Sequence, residues 1–190
     1  MAEKLTDEQV AGLLAILRKD VAVDQKVQYV NAVKSGIKQH NVPDSCVAPV
    51  FEALRIASST QHSVLINAGF TALNHLITRL SRQEPRYLLR EAKHTLPLLV
   101  EKLGDSKDKI RTIALQAMGT MYVHAPMDAE RFVRNNALVG KNPRAKEAGM
   151  TWLLQVRPNP NDATSVQCGL TPANRCIKNT AYSSAHTYLP

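Results

Sequence analysis

Six histidines, three cysteines and sixteen carboxylates are the side chains of this 190-residue chain that could bind a metal, move a proton or act as a nucleophile. His40, His62, His75, His94, His124 and His186 form no His-x-His or His-Glu-x-x-His, and none shares ligand spacing with a cysteine. Neither a metal site nor a cofactor is expected. Cys46, Cys168 and Cys176 form no Cys-x-x-Cys; an odd count without a framework suits a reducing compartment. Cys46 follows His40 closely, but no third group orients the pair, so a structural thiol is expected. Asp7 and Glu8 read as a helix start rather than an acid–base pair, and no Gly-x-Ser-x-Gly or phosphate-binding glycine loop occurs. The chain does not read as an enzyme.

The elements that carry these residues are helices. Apolar residues make up 44% of the chain and aromatics only 5%, which favours helix-on-helix packing. Thr6 and Gln9 form a capping box, after which Val10, Leu13, Leu14 and Leu17 share a face. Further apolar periodicity predicts helices over 6–19, 24–40, 43–58, 62–81, 85–103, 106–123, 128–138 and 143–156. Pairs begin near Thr6, Pro43, Pro85 and Met127, about 40 residues apart, the period of HEAT-type arrays. Pro49 and Pro97 fall inside first helices and should bend them. Ala68-Gly69 and Ala148-Gly149 occupy matching places two periods apart and should allow helices to approach closely. The expected fold is therefore an all-α solenoid of about four helical hairpins over residues 1–156.

Residues 157–190 break the pattern. They hold four of the ten prolines and only four residues from Ile, Leu, Val and Met, so a disordered tail is expected, foreign to the repeat. The fourth hairpin should then expose an apolar face. No run approaches the roughly 20 apolar residues of a membrane span, and the chain reads as soluble and intracellular.

Stacked hairpins bring their inner loops to one edge. Lys26, Lys107, Lys109, Lys141, Arg144 and Lys146 should form a basic line there, in keeping with a net charge of +8. Loop lysines that merely solvate the edge are the competing reading. Asp105 and Arg111 flank the third loop and are expected to bridge neighbouring hairpins. Arg82, Arg86, Arg90 and Lys93 read as a separate solvated cluster, Trp152 as core, and His62 as a helix cap or a contact residue.

Several long runs resemble the N-terminal TOG domain of fungal CLASP proteins, the cytoplasmic linker-associated proteins. They are Leu13 to Arg18, Lys34 to Pro43, Phe51 to Ser59, Asn67 to Leu76, Glu130 to Asn135, and Val139 to Glu147. The resemblance covers residues 1 to about 156. It implies a paddle of HEAT hairpins whose loop edge holds the tubulin heterodimer, and a role in stabilising microtubules and supporting the mitotic spindle. Cytoplasm, cytoskeleton and spindle, with the nucleus as a further place, would be its locations. On that analogy Lys26, Gln61, His62, Ser106 and Lys107 meet tubulin, as do Lys109, Lys141, Asn142, Arg144 and Lys146. Many TOG domains carry a Trp in the first loop; here Asp20 to Gln25 contains no aromatic residue. Nucleic-acid phosphates or another acidic protein on the same basic edge form the alternative.

Overall fold

A computed structural model describes residues 4–156. The expectation of a disordered tail over 157–190 lies outside the described residues. Helix α1 (Asp7–Arg18) opens with the capping box: Gln9 N–H donates to Thr6 Oγ1 at 3.2 Å and Thr6 N–H to Gln9 Oε1 at 3.3 Å. Then follow α2 (Val23–Gln39), α3 (Asp44–Ser58), α4 (Ser63–Gln83), α5 (Arg86–Leu103) and α6 (Asp108–His124). Pro49 and Pro97 sit inside α3 and α5, as expected.

The seventh element differs from expectation. It begins earlier, as α7 (Pro126–Phe132), with proline in its first turn where the missing N–H costs nothing. It then widens into a π-helix over Val133–Leu138 instead of continuing as a single α-helix. Asn135 and Asn136 are weak helix formers within that stretch. Gly140 closes it: a Cβ there would lie 2.5 Å from the Asn136 carbonyl oxygen, so only glycine fits. The last helix is α8 (Pro143–Val156).

The helices form an all-α, HEAT-like array of hairpins in two layers. First helices α1, α3, α5 and α7 pack in succession, while α2, α4 and α6 form the second layer. Phe51, Phe70, Leu13, Leu54, Leu73, Leu76, Leu88 and Leu96 are fully buried between the layers. Each such side chain contributes about 1.5–3 kcal/mol through removal from water. The two Ala-Gly pairs do what their size suggests. A Cβ on Gly69 would meet the Ala57 Cβ at 2.8 Å, and one on Gly149 would meet the Ala137 Cβ at 3.0 Å. In each case the second helix of a hairpin lies directly on the first.

Polar contacts fix how neighbouring hairpins align. At the start of the first layer Ser45 Oγ donates to Asp7 Oδ1 at 2.8 Å. Further along, Arg18 pairs with Glu52 at 2.5 Å and Arg55 with Glu91 at 2.7 Å, joining α1 to α3 and α3 to α5. In the second layer Arg79 Nε donates to the Ile37 carbonyl at 3.0 Å, and its Nη2 to that of Lys38. Gln83 clamps Val42 twice, donating to its carbonyl at 2.7 Å and accepting its N–H at 2.9 Å. Arg79 thereby satisfies carbonyls that the end of α2 leaves open, and Gln83 does the same for the loop between α2 and α3.

The fourth hairpin is less regular. Helix α8 packs on α5 and the π-helix rather than along α6. Tyr122 of α6 and Trp152 of α8 bridge that separation edge to face, with ring centres 5.4 Å apart. Trp152 is buried, as expected for core. Met150, Leu154 and the adjoining Val139 remain exposed, the last two at 77%, so this hairpin does present apolar side chains to its surroundings.

Candidate functional site

The loops inside the hairpins precede α2, α4, α6 and α8, so the N-termini of these second-layer helices mark the candidate edge. A helix N-terminus carries partial positive charge and favours acidic side chains in its first turn. Helices α4 and α8 have none there. Helix α8 instead carries Arg144 and Lys146 in its first turn, both exposed. Lys107 occupies the position before α6, and Lys109 lies in its first turn, again exposed. Cations placed against the helix dipole cost about 0.3–1 kcal/mol each. Helices α2 and α6 each carry an aspartate in the first turn, Asp24 and Asp108, so the uncompensated positive charge lies at the α8 end of the edge.

Asn142 joins the third and fourth loops. Its Nδ2 donates to the Gly104 carbonyl at 3.2 Å, while its Oδ1 accepts the N–H groups of Arg144 at 3.0 Å and Ala145 at 3.4 Å. It is thus the N-cap of α8 and a tie between hairpins in one residue. Asn142 and Lys141 line a groove of about 280 Å³ with Pro97, Val100, Glu101 and Asn136. Asn136 belongs to the π-helix. Ser106 is exposed on the facing loop, and Gln61 and His62 are exposed in the second loop.

Two expectations change at this edge. Lys26 turns back onto its own hairpin: Nζ donates to the Leu17 carbonyl at 3.3 Å, capping the end of α1, and the side chain is half-buried. Asp105 and Arg111 do not bridge hairpins. The Asp105 carboxylate accepts the Lys107 N–H at 2.9 Å, a local turn ahead of α6. Arg111 then donates to the Asp105 backbone carbonyl at 2.7 Å and pairs with Asp108. Both residues thus serve their own loop. His62 precedes α4 but makes no side-chain cap; its backbone carbonyl accepts the Ile66 N–H at 2.9 Å.

Groups that might support catalysis have structural roles. Among the described residues no group of three His, Cys, Asp or Glu could hold a metal ion. Cys46 is buried and donates to Asp7 Oδ1 at 3.2 Å. Burial, reinforced by that carboxylate, pushes its thiol up to about 11, away from the reactive thiolate. The cluster expected around Arg82 divides. Arg86 and Arg90 flank the Tyr87 ring, each 5.9 Å from its centre, whereas Arg82 lines a separate depression between α2 and α4. Among the described residues no helix is long and apolar enough to cross a membrane.

Comparison with known proteins agrees with the fold. The family model described as CLASP N terminal matches residues 6–180, a stretch that continues past Val156. Protein stu-1 of Neurospora crassa is 66% identical over 155 residues, covering 82% of this chain and 14% of that protein. Protein STU1 of Chaetomium globosum is 64% identical over 156 residues, again 82% and 14%. Protein stu1 of Aspergillus oryzae is 37% identical over 179 residues, covering 90% of this chain and 15% of its own length. The chain thus spans a small part of the curated relatives it matches. No solved structure matches it. A family match over nearly the whole chain, on an array of HEAT-like hairpins, means that the chain belongs to the CLASP N-terminal family.

Proposed function

We propose that this chain is a microtubule-associated TOG-type module that binds the tubulin heterodimer along its loop edge, without catalysis. The observation that carries the reading is the tie between Asn142 and Gly104, which holds the third and fourth loops side by side. Exposed Lys107, Lys109, Lys141, Arg144 and Lys146 surround it. An acidic protein surface is the natural complement to such an edge, and complementarity of this kind speeds encounter and fixes orientation. Ser106, Gln61 and His62 extend the contact line. Lys26, committed to capping α1, contributes charge at a distance. Association with the cytoskeleton and the spindle, and stabilisation of microtubules there, follow from this reading.

The test is co-sedimentation with tubulin and with assembled microtubules, using a chain reversed in charge at Lys107, Lys141 and Arg144. Binding should fall about tenfold or more, with the helical circular dichroism unchanged. Undiminished binding would remove the loop edge from consideration. Binding to DNA of arbitrary sequence, steeply weakened by salt and unaccompanied by tubulin affinity, would favour nucleic acid as the partner.

A further inference from the structure

Away from the loop edge, the second helical layer carries charge of one sign. Between its ends α2 has a single carboxylate, Asp24 in its first turn, and α4 has none. The first layer is different: its arginines Arg18 and Arg55 are neutralised by Glu52 and Glu91. Where α2 and α4 end side by side, a depression of about 190 Å³ is lined by Ile37, Lys38, His75, Thr78, Arg79 and Arg82. None of these is acidic. Lys34 lies one turn before Lys38, with its Nζ donating to Asn31 Oδ1 at 2.6 Å. His75 senses the resulting field: burial, and then the charges of Lys38 and Lys34, hold its imidazole below the ordinary range.

The depression is also tied together by hydrogen bonds. Arg79 is anchored by its bonds to the Ile37 and Lys38 carbonyls, which use two of the five donors of a guanidinium. The paired bonds between Gln83 and Val42 hold the same end of the groove. Lys38 and Arg82 stand exposed on its two walls.

We propose that this groove is a second binding site, independent of the loop edge, for an extended acidic peptide of a partner protein. Its shape favours a peptide over a single anion. His75 and Arg82 are seven positions apart on α4, about 10 Å along the axis. That distance accommodates about three residues of extended chain, whose carboxylates meet Lys38 and Arg82 while Thr78 and Arg79 offer hydrogen bonds. Residues 157–190 do not supply such a segment, since they contain one Asp against two Arg and one Lys.

Fluorescence anisotropy of a labelled ten-residue polyglutamate peptide, titrated with the full chain, tests the proposal. The double variant K38E/R82E should weaken binding about tenfold or more, with circular dichroism and melting temperature retained. These two residues are chosen because Arg79 also caps α2, and its removal would disturb the fold. The loop-edge variant K107E/K141E/R144E should bind the peptide as the parent does, so failure at one site is distinguishable from failure at the other. Equal peptide affinity in K38E/R82E, or weakening confined to the loop-edge variant, would overturn the proposal. So would displacement of the peptide by inorganic phosphate at low millimolar concentration, which indicates a point site for small anions. Tighter binding of single-stranded DNA than of the peptide would likewise overturn it.

Discussion

Asn142 reaches across from the fourth hairpin to the Gly104 carbonyl of the third, 3.2 Å away, while capping its own helix. The fit admits nothing larger: a Cβ on Gly104 would lie 2.4 Å from the Asn142 amide nitrogen and 2.9 Å from the Ala145 Cβ. Replacing Asn142 by Ala removes cap and tie together and should cost about 1–2 kcal/mol. Asn142→Asp keeps the cap and loses only the donor, so its cost should be smaller. Gly104→Ala should destabilise the chain, and combining it with Asn142→Ala should cost less than the sum, because both break one contact. Urea unfolding of the four variants checks the order. Strict additivity would show that the two loops do not act as a unit.

The two ion pairs of the first layer should differ in value. Arg18 and Glu52 are largely exposed, with side chains at 62% and 47%, whereas Arg55 and Glu91 are at 23% and 16%. Solvent screening limits the first pair to about 0.2–1 kcal/mol. Removing Glu91 leaves a partly desolvated guanidinium and should cost about 1.5–3 kcal/mol. Double-mutant cycles measured at low and at 1 M salt separate them: the coupling of Arg18 with Glu52 should vanish at high salt, and that of Arg55 with Glu91 should persist.

Asp7 and Cys46 link stability to pH at both extremes. Hydrogen bonds from Ser45 and Cys46 hold the Asp7 carboxyl below its usual 3.8. Its stabilisation is therefore present above that value and is lost as pH falls through the lowered one. Burial raises the Cys46 thiol from 9.0 to about 11, so its contribution is complete below pH 9 and disappears as pH rises through 11. Melting curves of Asp7→Asn and Cys46→Ala against the parent check both limbs. The Asp7→Asn difference should shrink on acidification, and the Cys46→Ala difference on going from pH 9 to pH 11. Alkylation of Cys46 at neutral pH should require unfolding.

Much of the array was legible because it is written in local periodicity. Leu13 and Leu17, Leu73 and Leu76, and Ile110 and Ala114 recur at helical spacing and all are buried. Thr6 and Gln9 announced the first cap, and the Ala-Gly pairs announced close approach. The π-helix was not legible, since nothing in the spacing of Val133 to Leu138 marks a wider turn. Contacts between hairpins were not legible either. Arg79 and Ile37 are 42 residues apart, and no spacing rule connects a guanidinium to a distant helix end. Asp105 shows the opposite failure: a pairing inferred from repeats yielded to the turn that the residue makes with Lys107. For the candidate edge, sequence located the loops but not Asn142 as the residue that ties two of them together.

A π-helix is in effect an α-helix holding one surplus residue. In Val133–Leu138 that surplus is absorbed just before the chain leaves for the fourth loop. Because the surplus is taken up within the wide turn, deleting a single residue there should restore ordinary winding while leaving Lys141 and Asn142 near their present phase. The extra residue is thus accommodated inside the first helix of this hairpin, ahead of the Asn142 side chain that ties it to its predecessor.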